Sequence, residues 1–169
     1  MPPTPVRPAV PEDAEELLRL RVDVLTGRPA DDAWRGTFLK DMQARLGTDP
    51  HLLAFVADGG DGVLTACAIG VVYRGYDGPS YPGGLWGRVH TVVTDPRHRR
   101  EGLAEAVTRA LVGALQERGC SSVELIATSE GLPLYGKLGF EPAAHYLTLR
   151  QPLAAAGSVR SVAPDGRPG

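Results

Sequence analysis

Cysteine and long apolar runs are both scarce in this chain of 169 residues. Its only cysteines, Cys67 and Cys120, lie in apolar surroundings, so we expect two buried thiols in a reducing compartment rather than a disulfide framework. No apolar run approaches the ~20 residues that a membrane-spanning helix needs. The opening segment is rich in proline and soon becomes acidic, unlike the basic and then apolar pattern of a secretory signal. We therefore expect a cytoplasmic protein that does not associate with membranes.

The sequence also lacks a marked excess of one charge. It carries 18 basic and 20 acidic residues, for a formal net charge of −2, whereas a nucleic-acid-binding protein usually shows a strongly basic face. We therefore expect no nucleic-acid partner. After residue 152 the composition shifts to proline, alanine, glycine and serine. We predict a single domain over residues 1–151 and a flexible C-terminal tail over residues 152–169.

Hydrophobic periodicity and turn signals predict a mixed succession of strands and helices. The predicted strands cover residues 6–9, 51–57, 63–73, 85–94, 122–127 and 145–149, and the predicted helices cover residues 11–26, 31–46, 101–118 and 131–138. A strand–helix–strand unit lies at the centre of this order, so the fold class is α+β or α/β with a mixed sheet. The glycine- and proline-rich loop over residues 75–84 is long for a hairpin connection, which favours a functional role.

The turn between the strand over residues 85–94 and the next helix has the features of an anion site. The helix begins with free amide N–H groups and the positive end of the helix dipole. Gly102 and Ala104 carry little or no side chain, so a ligand can approach the backbone closely. Arg97, Arg99 and Arg100 add positive charge beside it. These features are those of a phosphate or pyrophosphate site, but by themselves they fit equally a solvated basic turn that caps an ordinary helix.

Two motifs in this half of the chain resemble those of the GNAT N-acetyltransferase superfamily. Residues 93–104 (VTDPRHRREGLA) resemble motif A, a strand followed by proline and then Arg/Gln-x-x-Gly-x-Gly/Ala, with Arg99, Gly102 and Ala104 at the defining positions. Residues 133–140 (PLYGKLGF) resemble motif B, Leu-Tyr-x-x-x-Gly-Phe. The resemblance covers residues 85–142 well, extends more weakly over residues 5–84 and is absent from the tail.

The resemblance implies the GNAT fold: α+β in three α/β/α layers, with a mixed, mostly antiparallel central sheet that is flanked by helices and splayed at the acetyl-CoA site. It also implies acetyl-CoA as the acetyl donor and no metal ion. Motif A amides of the family hold the pyrophosphate, and the end of the preceding strand pairs with the pantetheine arm. By position, the cofactor-binding residues are then Val93, Thr94, Arg99, Arg100, Glu101, Gly102, Leu103, Ala104, Glu105 and Thr128. Thr128 is at a position where motif B often has an asparagine that contacts the cofactor. This departure from the motif bears on the affinity for the cofactor.

The resemblance also implies catalytic residues. Tyr135 matches the tyrosine that many members use as the general acid toward the departing thiolate. His90 matches by position a proton-relaying histidine of serotonin N-acetyltransferase, and the second relay histidine of that enzyme would fall at Arg88. We predict His90 as the base, with a water chain as the alternative and Asp77 and Glu130 as weaker candidates.

The acceptor amine is the least defined part of the prediction. Several aromatic residues and one acidic residue are in or near segments that would wall an acceptor pocket, namely Trp34, Tyr73, Tyr76, Asp77, Tyr81 and Trp86. The alternative is that Trp34 belongs to the core and that Tyr76 and Tyr81 anchor their loop. A small-molecule amine is the favoured acceptor. A protein N-terminus or lysine is the second reading, and a non-catalytic acetyl-CoA-binding protein is the third. The resemblance also leaves a homodimer through the C-terminal strand open.

Overall fold

The computed structural model describes residues 4–25, 32–143 and 147–150. Its elements are, in chain order, β1 (Val6–Pro8), α1 (Ala14–Leu25), α2 (Ala33–Arg45), β2 (Leu52–Asp58), β3 (Leu64–Arg74), β4 (Leu85–Thr94), α3 (Leu103–Glu117), β5 (Ser122–Leu125) and α4 (Leu132–Lys137). Short 3-10 turns precede α1, β4 and α3. None of the described helices is long and apolar enough to cross a membrane.

The strands form one five-stranded sheet in the order β1-β2-β3-β4-β5. The first three pairings are antiparallel, and β4 pairs with β5 in parallel. A parallel pair needs a long crossover connection, and α3 supplies it.

The two faces of the sheet bury different helices. Alternate residues of β3 illustrate this, because Cys67 and Ile69 pack with α1 and α2, whereas Ala66, Ala68 and Val72 pack with α3. A strand that is buried on both faces reads as a continuous apolar run, as β3 does. The three layers and the mostly antiparallel mixed sheet confirm the predicted fold class.

A bulge interrupts the pairing of β3 with β4. Ile69 pairs with Thr91 and Gly70 pairs with Val89, so His90 is left without a partner in the ladder. Bulges re-aim side chains and are common beside active sites. Here the extra residue lies next to the end of β4 that faces the predicted cofactor site.

The sheet opens between β4 and β5. Their parallel pairing runs from Trp86 and Ser122 to Val89 and Leu125, while β4 continues to Thr94. Past Val89 the two strands are therefore no longer bonded to each other. This separation corresponds to the predicted splay of the sheet.

Most predicted elements are confirmed within a few residues, but two differ in a way that matters. Helix α3 begins at Leu103 rather than at residue 101, because Gly102 has a left-handed backbone (φ 75°) that belongs to the turn. The predicted strand over residues 145–149 is wrong for its described part, since residues 147–150 form no strand. Residues 145 and 146, residues 26 and 31 at the ends of the first two predicted helices, and the predicted tail lie outside the described residues.

Candidate active site

A cleft of about 540 Å³ lies where β4 and β5 separate. On one side it is bounded by the end of β4 and the start of α3, and on the other by the loop after β5 and by α4. Its walls are formed by Val92, Val93, Thr94, His98, Arg99, Arg100, Gly102, Leu103, Ala104, Glu105, Thr128, Glu130, Gly131, Leu134 and Tyr135. The structure thus brings together nearly all the residues that the sequence assigned to the cofactor, and it adds Tyr135. Glu101 is the exception, because it does not line the cleft.

The turn before α3 presents backbone amides to this cleft. Arg100 and Gly102 both have positive φ angles, of 67° and 75°, and a non-glycine residue in this region is uncommon. In the described part of the chain the amides of Gly102, Leu103 and Ala104 have no backbone acceptor, as expected of the first turn of a helix. An ideal Cβ on Gly102 would meet nothing within 4 Å. The cleft therefore offers open space and free N–H donors at the positive end of α3.

Asp95, the residue just after β4, stabilises the turn between β4 and α3. The side chain is buried and accepts hydrogen bonds from the Arg97 backbone N–H and guanidinium and from Arg19 of α1, at 2.9 to 3.1 Å. The Arg97 side chain, its backbone amide and Arg19 hold the pKa of Asp95 well below its usual range, against the opposing effect of burial. Arg97 is thus neutralised by Asp95 and does not line the cleft. Of the three arginines that the sequence predicts beside the anion site, Arg99 and Arg100 line the cleft.

Two acidic residues lie close to this basic turn. Glu101 is exposed, and its carboxylate lies 3.4 Å from Nδ1 of His98. Glu105 lines the cleft and pairs with Arg109 at 2.8 Å and with Lys137 of α4 at 3.2 Å. The bonds from Arg109 and Lys137 lower the pKa of Glu105, so its negative charge is balanced by neighbours. The link to Lys137 also joins α3 to α4 across the cleft.

Tyr135 faces the cleft from α4. Its ring is half-buried and packs edge-to-face on Phe140, with 5.9 Å between the centroids. Burial raises the pKa of Tyr135, so the phenol keeps its proton at neutral pH. The turn leading into α4 is closed by Thr128, whose hydroxyl accepts a hydrogen bond from the Gly131 amide at 3.3 Å. Thr128 therefore has a structural use in addition to its place on the cleft wall.

His90 lies on the bulge of β4 and is exposed. Its Nε2 is 2.8 Å from the hydroxyl of Tyr73. Burial lowers the pKa of His90, and the positive charges of Arg88 and Arg21 lower it further. His90 is thus neutral at pH 7 and able to accept a proton. It does not line the cleft with Tyr135, but it is two residues from Val92, which does.

An aromatic cluster flanks His90 on β3, β4 and the 75–84 loop. Trp86 stacks on Tyr73 with 5.7 Å between ring centroids and contacts Tyr81 at 4.7 Å. The Tyr81 hydroxyl donates to Glu124 of β5 at 2.6 Å. Tyr81 therefore ties the loop to the sheet. Asp77 accepts a hydrogen bond from the Gly83 amide at 2.8 Å, which gives it a role in shaping the loop.

Sequence reasoning missed two contacts of this region. The sequence predicts Tyr73 as part of the acceptor-pocket wall, whereas in the structure its hydroxyl contacts His90. The sequence gives no sign that Arg21 of α1 bonds Thr91. Both contacts join residues that are far apart in the chain. Their geometry depends on the register of β4 and its bulge, and no local pattern reveals it.

The amino-acid sequence is similar to that of known acetyltransferases. A model described as the acetyltransferase (GNAT) family covers residues 15–140. Mycothiol acetyltransferase from Beutenbergia cavernae is 33% identical over 112 residues, which are 63% of this chain and 35% of that protein. Glucosamine 6-phosphate N-acetyltransferase from Trypanosoma brucei brucei is 39% identical over 54 residues, or 32% of this chain and 37% of that protein. The matches thus span little more than a third of each of these relatives.

A solved structure shares the fold over most of the chain. It is described as a predicted acetyltransferase with acetyl-CoA from Clostridium acetobutylicum, and it superposes with a TM-score of 0.75 at 22% identity. The likeness covers 86% of this chain and 95% of that one. At this identity the likeness concerns the fold alone.

Proposed function

This chain belongs to the GNAT acetyltransferase family, and we propose that it transfers the acetyl group of acetyl-CoA to a primary amine on a small molecule. The observation that carries the proposal is the cleft at the open end of β4 and β5. There the free amides at the start of α3 and the Tyr135 phenol of α4 line one cleft from opposite sides. The Clostridium structure was solved with acetyl-CoA, and the two relatives are named for small-molecule acceptors.

The residues present fit a pyrophosphate-containing donor. Backbone N–H groups of Gly102, Leu103 and Ala104 bind the phosphates at the positive end of α3, and Arg99 and Arg100 add charge. A side chain at Gly102 would project into the space that the phosphates need. Val93 and Thr94 line the same cleft at the end of β4, where their strand is no longer bonded to β5, so their backbone is free to pair with the pantetheine arm. When bound, acetyl-CoA supplies an activated thioester.

In the proposed reaction His90 accepts a proton from the amine, and Tyr135 donates a proton to the leaving group. An amine with a pKa of about 10.4 needs about 4 kcal/mol to lose its proton near pH 7.4, so a base at the site is useful. We assign Nε2–H of His90 as the donor to Tyr73, which leaves Nδ1 as the proton acceptor for the amine. Tyr135 donates its phenolic proton to the departing sulfur.

The proposal is tested by incubating the protein with acetyl-CoA and a panel of small amines, and measuring acetylated product by mass spectrometry together with free CoA. We expect product and CoA in equal amounts. Tyr135→Phe should lower kcat by a factor of about 10 to 100, because it removes the proton donor and keeps the ring. The rise in melting midpoint with acetyl-CoA should be the same in both proteins. Transfer at full rate in Tyr135→Phe would contradict the role of Tyr135, and product from no amine would contradict the proposed reaction.

A further inference from the structure

Arg21 is held on the face of β4 that α1 and α2 cover, where it contacts Thr91, the residue after His90. Its Nη1 donates to the Thr91 hydroxyl at 2.7 Å. The guanidinium carbon lies 5.8 Å from the Trp34 ring centroid and 5.6 Å from that of Phe38. These contacts come from α2 and β4, while Arg21 itself is on α1. Three elements therefore fix one guanidinium in a defined orientation, with two aromatic faces beside it.

No carboxylate of the described residues forms an ion pair with Arg21. Other arginines of α1 and α2 have acidic partners: Arg19 has Glu16, Asp23 and Asp95, Arg35 has Asp32, and Arg45 has Asp41 and Asp49. Within residues 4–25, 32–143 and 147–150, Arg21 forms no ion pair and makes its one hydrogen bond to Thr91. Its Nε is buried without a partner, and its Nη2 bonds no described residue while not being fully buried. Half-buried guanidinium groups are usually paired with an anion.

The surroundings of Arg21 are positive as well. Arg88 on β4 lies on the same face, and its charge and that of Arg21 both reach His90, whose pKa they lower. Glu124 of β5 pairs with Arg88 at 3.2 Å and accepts a hydrogen bond from Tyr81. The unbalanced positive charge therefore lies with Arg21, beside the residue proposed as the base.

We propose that the acceptor amine carries a carboxylate or phosphate group, which binds the Arg21 guanidinium while the amine lies against His90. The inference rests on the proposed function, since it names the acceptor class of that reaction. Arg21 is a binding residue in this scheme, because its free Nη2 edge can pair with an oxyanion while Nη1 stays on Thr91. The Trp34 and Phe38 rings hold the guanidinium in place, and this lowers the entropy lost on binding.

Matched pairs of amines that differ in the anionic group provide the test. The carboxylate arm compares glycine, β-alanine and 4-aminobutanoate with their amides. The phosphate arm compares 2-aminoethyl phosphate with ethanolamine, and glucosamine 6-phosphate with glucosamine. Each compound is used as an acetyl acceptor, and each is also added to protein saturated with CoA in a thermal melt. Saturation with CoA keeps the anion out of the cofactor cleft.

We expect at least one anionic member to have a kcat/KM at least tenfold above that of its neutral twin, and to raise the melting midpoint where the twin does not. The arm in which this occurs identifies the anion as carboxylate or phosphate. Arg21→Gln should remove the preference mainly through KM and abolish the midpoint rise. Arg45→Gln removes a comparable charge from α2. It should keep both the preference for the anionic amine and the rise in melting midpoint.

Equal use and equal binding of anionic and neutral twins would overturn the inference, and so would an Arg21→Gln variant that loses both twins to the same extent. If Arg21→Gln does not fold, Arg21→Lys serves in its place and should keep part of the preference. The comparison of each anionic amine with its neutral counterpart uses the parent protein and depends on no variant. If no amine is acetylated, the proposed reaction fails. The melt still decides the anion site: a midpoint rise that requires Arg21 upholds it, and no rise overturns it.

Discussion

His90 and Tyr135 have environments that shift their pKa values in opposite directions. Burial and two arginines lower the pKa of His90, whereas burial raises the pKa of Tyr135. At pH 7 the imidazole is therefore neutral and the phenol is protonated. These states suit the proposed roles, in which His90 takes a proton from the amine and Tyr135 gives one to the departing thiolate as the acetyl group passes from sulfur to nitrogen.

The lowered pKa of His90 predicts a pH profile. His90 accepts a proton only when it is neutral, so kcat/KM should fall as pH drops through its pKa, with an acid limb centred below 6.5. Arg88→Gln removes one positive neighbour and should move this limb upward, toward 6.5. Profiles of kcat/KM from about pH 5 to about pH 9 measure the acid limb in the parent protein and its shift in Arg88→Gln. His90→Gln should remove the limb and lower kcat/KM by about 100-fold. A limb that stays in place in Arg88→Gln would show that another group is the base.

The cleft residues that belong to local motifs could be predicted from the sequence. Contacts between residues far apart in the chain could not. Gly102, Ala104 and Tyr135 line the cleft as the motif spacing indicated. The contacts of Tyr73 with His90 and of Arg21 with Thr91 depend on how β3, β4 and α1 pack. The neutralisation of Arg97 by Asp95 was equally hidden, because the sequence shows the charge but not the direction of the side chain.

At the scale of elements, the short helix α4 positions Tyr135 through a close approach at its first turn. A Cβ built on Gly131 would lie 2.9 Å from Cε2 of the Tyr135 ring. Since α4 spans only Leu132–Lys137, little else of the helix fixes the ring. The lack of a side chain at Gly131 is therefore what allows the ring to lie over this turn.

Gly131→Ala should displace the Tyr135 ring. We expect acetyl transfer to fall by about 10- to 100-fold, because small misplacements of a reacting group are costly. Gly131 is the residue just before the helix, whereas Gly136→Ala, inside α4, is the control, since a Cβ there meets nothing within 4 Å. It should leave the rate unchanged and stabilise the helix by about 0.5 to 1 kcal/mol. Steady-state rates and thermal melts of the two variants test this. Equal rates in both would mean that the ring position set by Gly131 is unimportant.

Element types were predictable because each carries its own periodicity, but their ends were not. The run of acidic and small residues after Arg100 predicts a helix start at residue 101, yet the left-handed backbone of Gly102 delays it to Leu103. The alternating pattern over residues 145–149 predicts a strand, yet Leu147 and Leu149 are 91% and 87% exposed and unpaired in the described part of the chain. Alternation favours a strand only where a neighbouring strand completes the hydrogen bonds.

At the scale of the whole molecule, the cleft is a consequence of the layered architecture. Two separate cores, one under α1 and α2 and the other under α3, hold β3 and β4 from both faces. The sheet can therefore open at its β4–β5 edge without loss of its centre. The start of α3 and the turn into α4 then come to lie on opposite sides of the gap.

The measurement that tests the cofactor site most directly is a thermal melt with and without acetyl-CoA. At about a hundred times its dissociation constant the ligand should stabilise the fold by about 2.7 kcal/mol and raise the midpoint by roughly 5 to 11 °C. Gly102→Glu should abolish the rise, because it places a carboxylate where we propose that the phosphates bind. Gly47→Glu is the matched control, since Gly47 has a similar positive φ, an equally open surrounding and no place on the cleft wall. A rise that Gly47→Glu keeps and Gly102→Glu loses is the predicted result. No rise in the parent protein, or an equal rise in both variants, would contradict an acetyl-CoA site in this cleft.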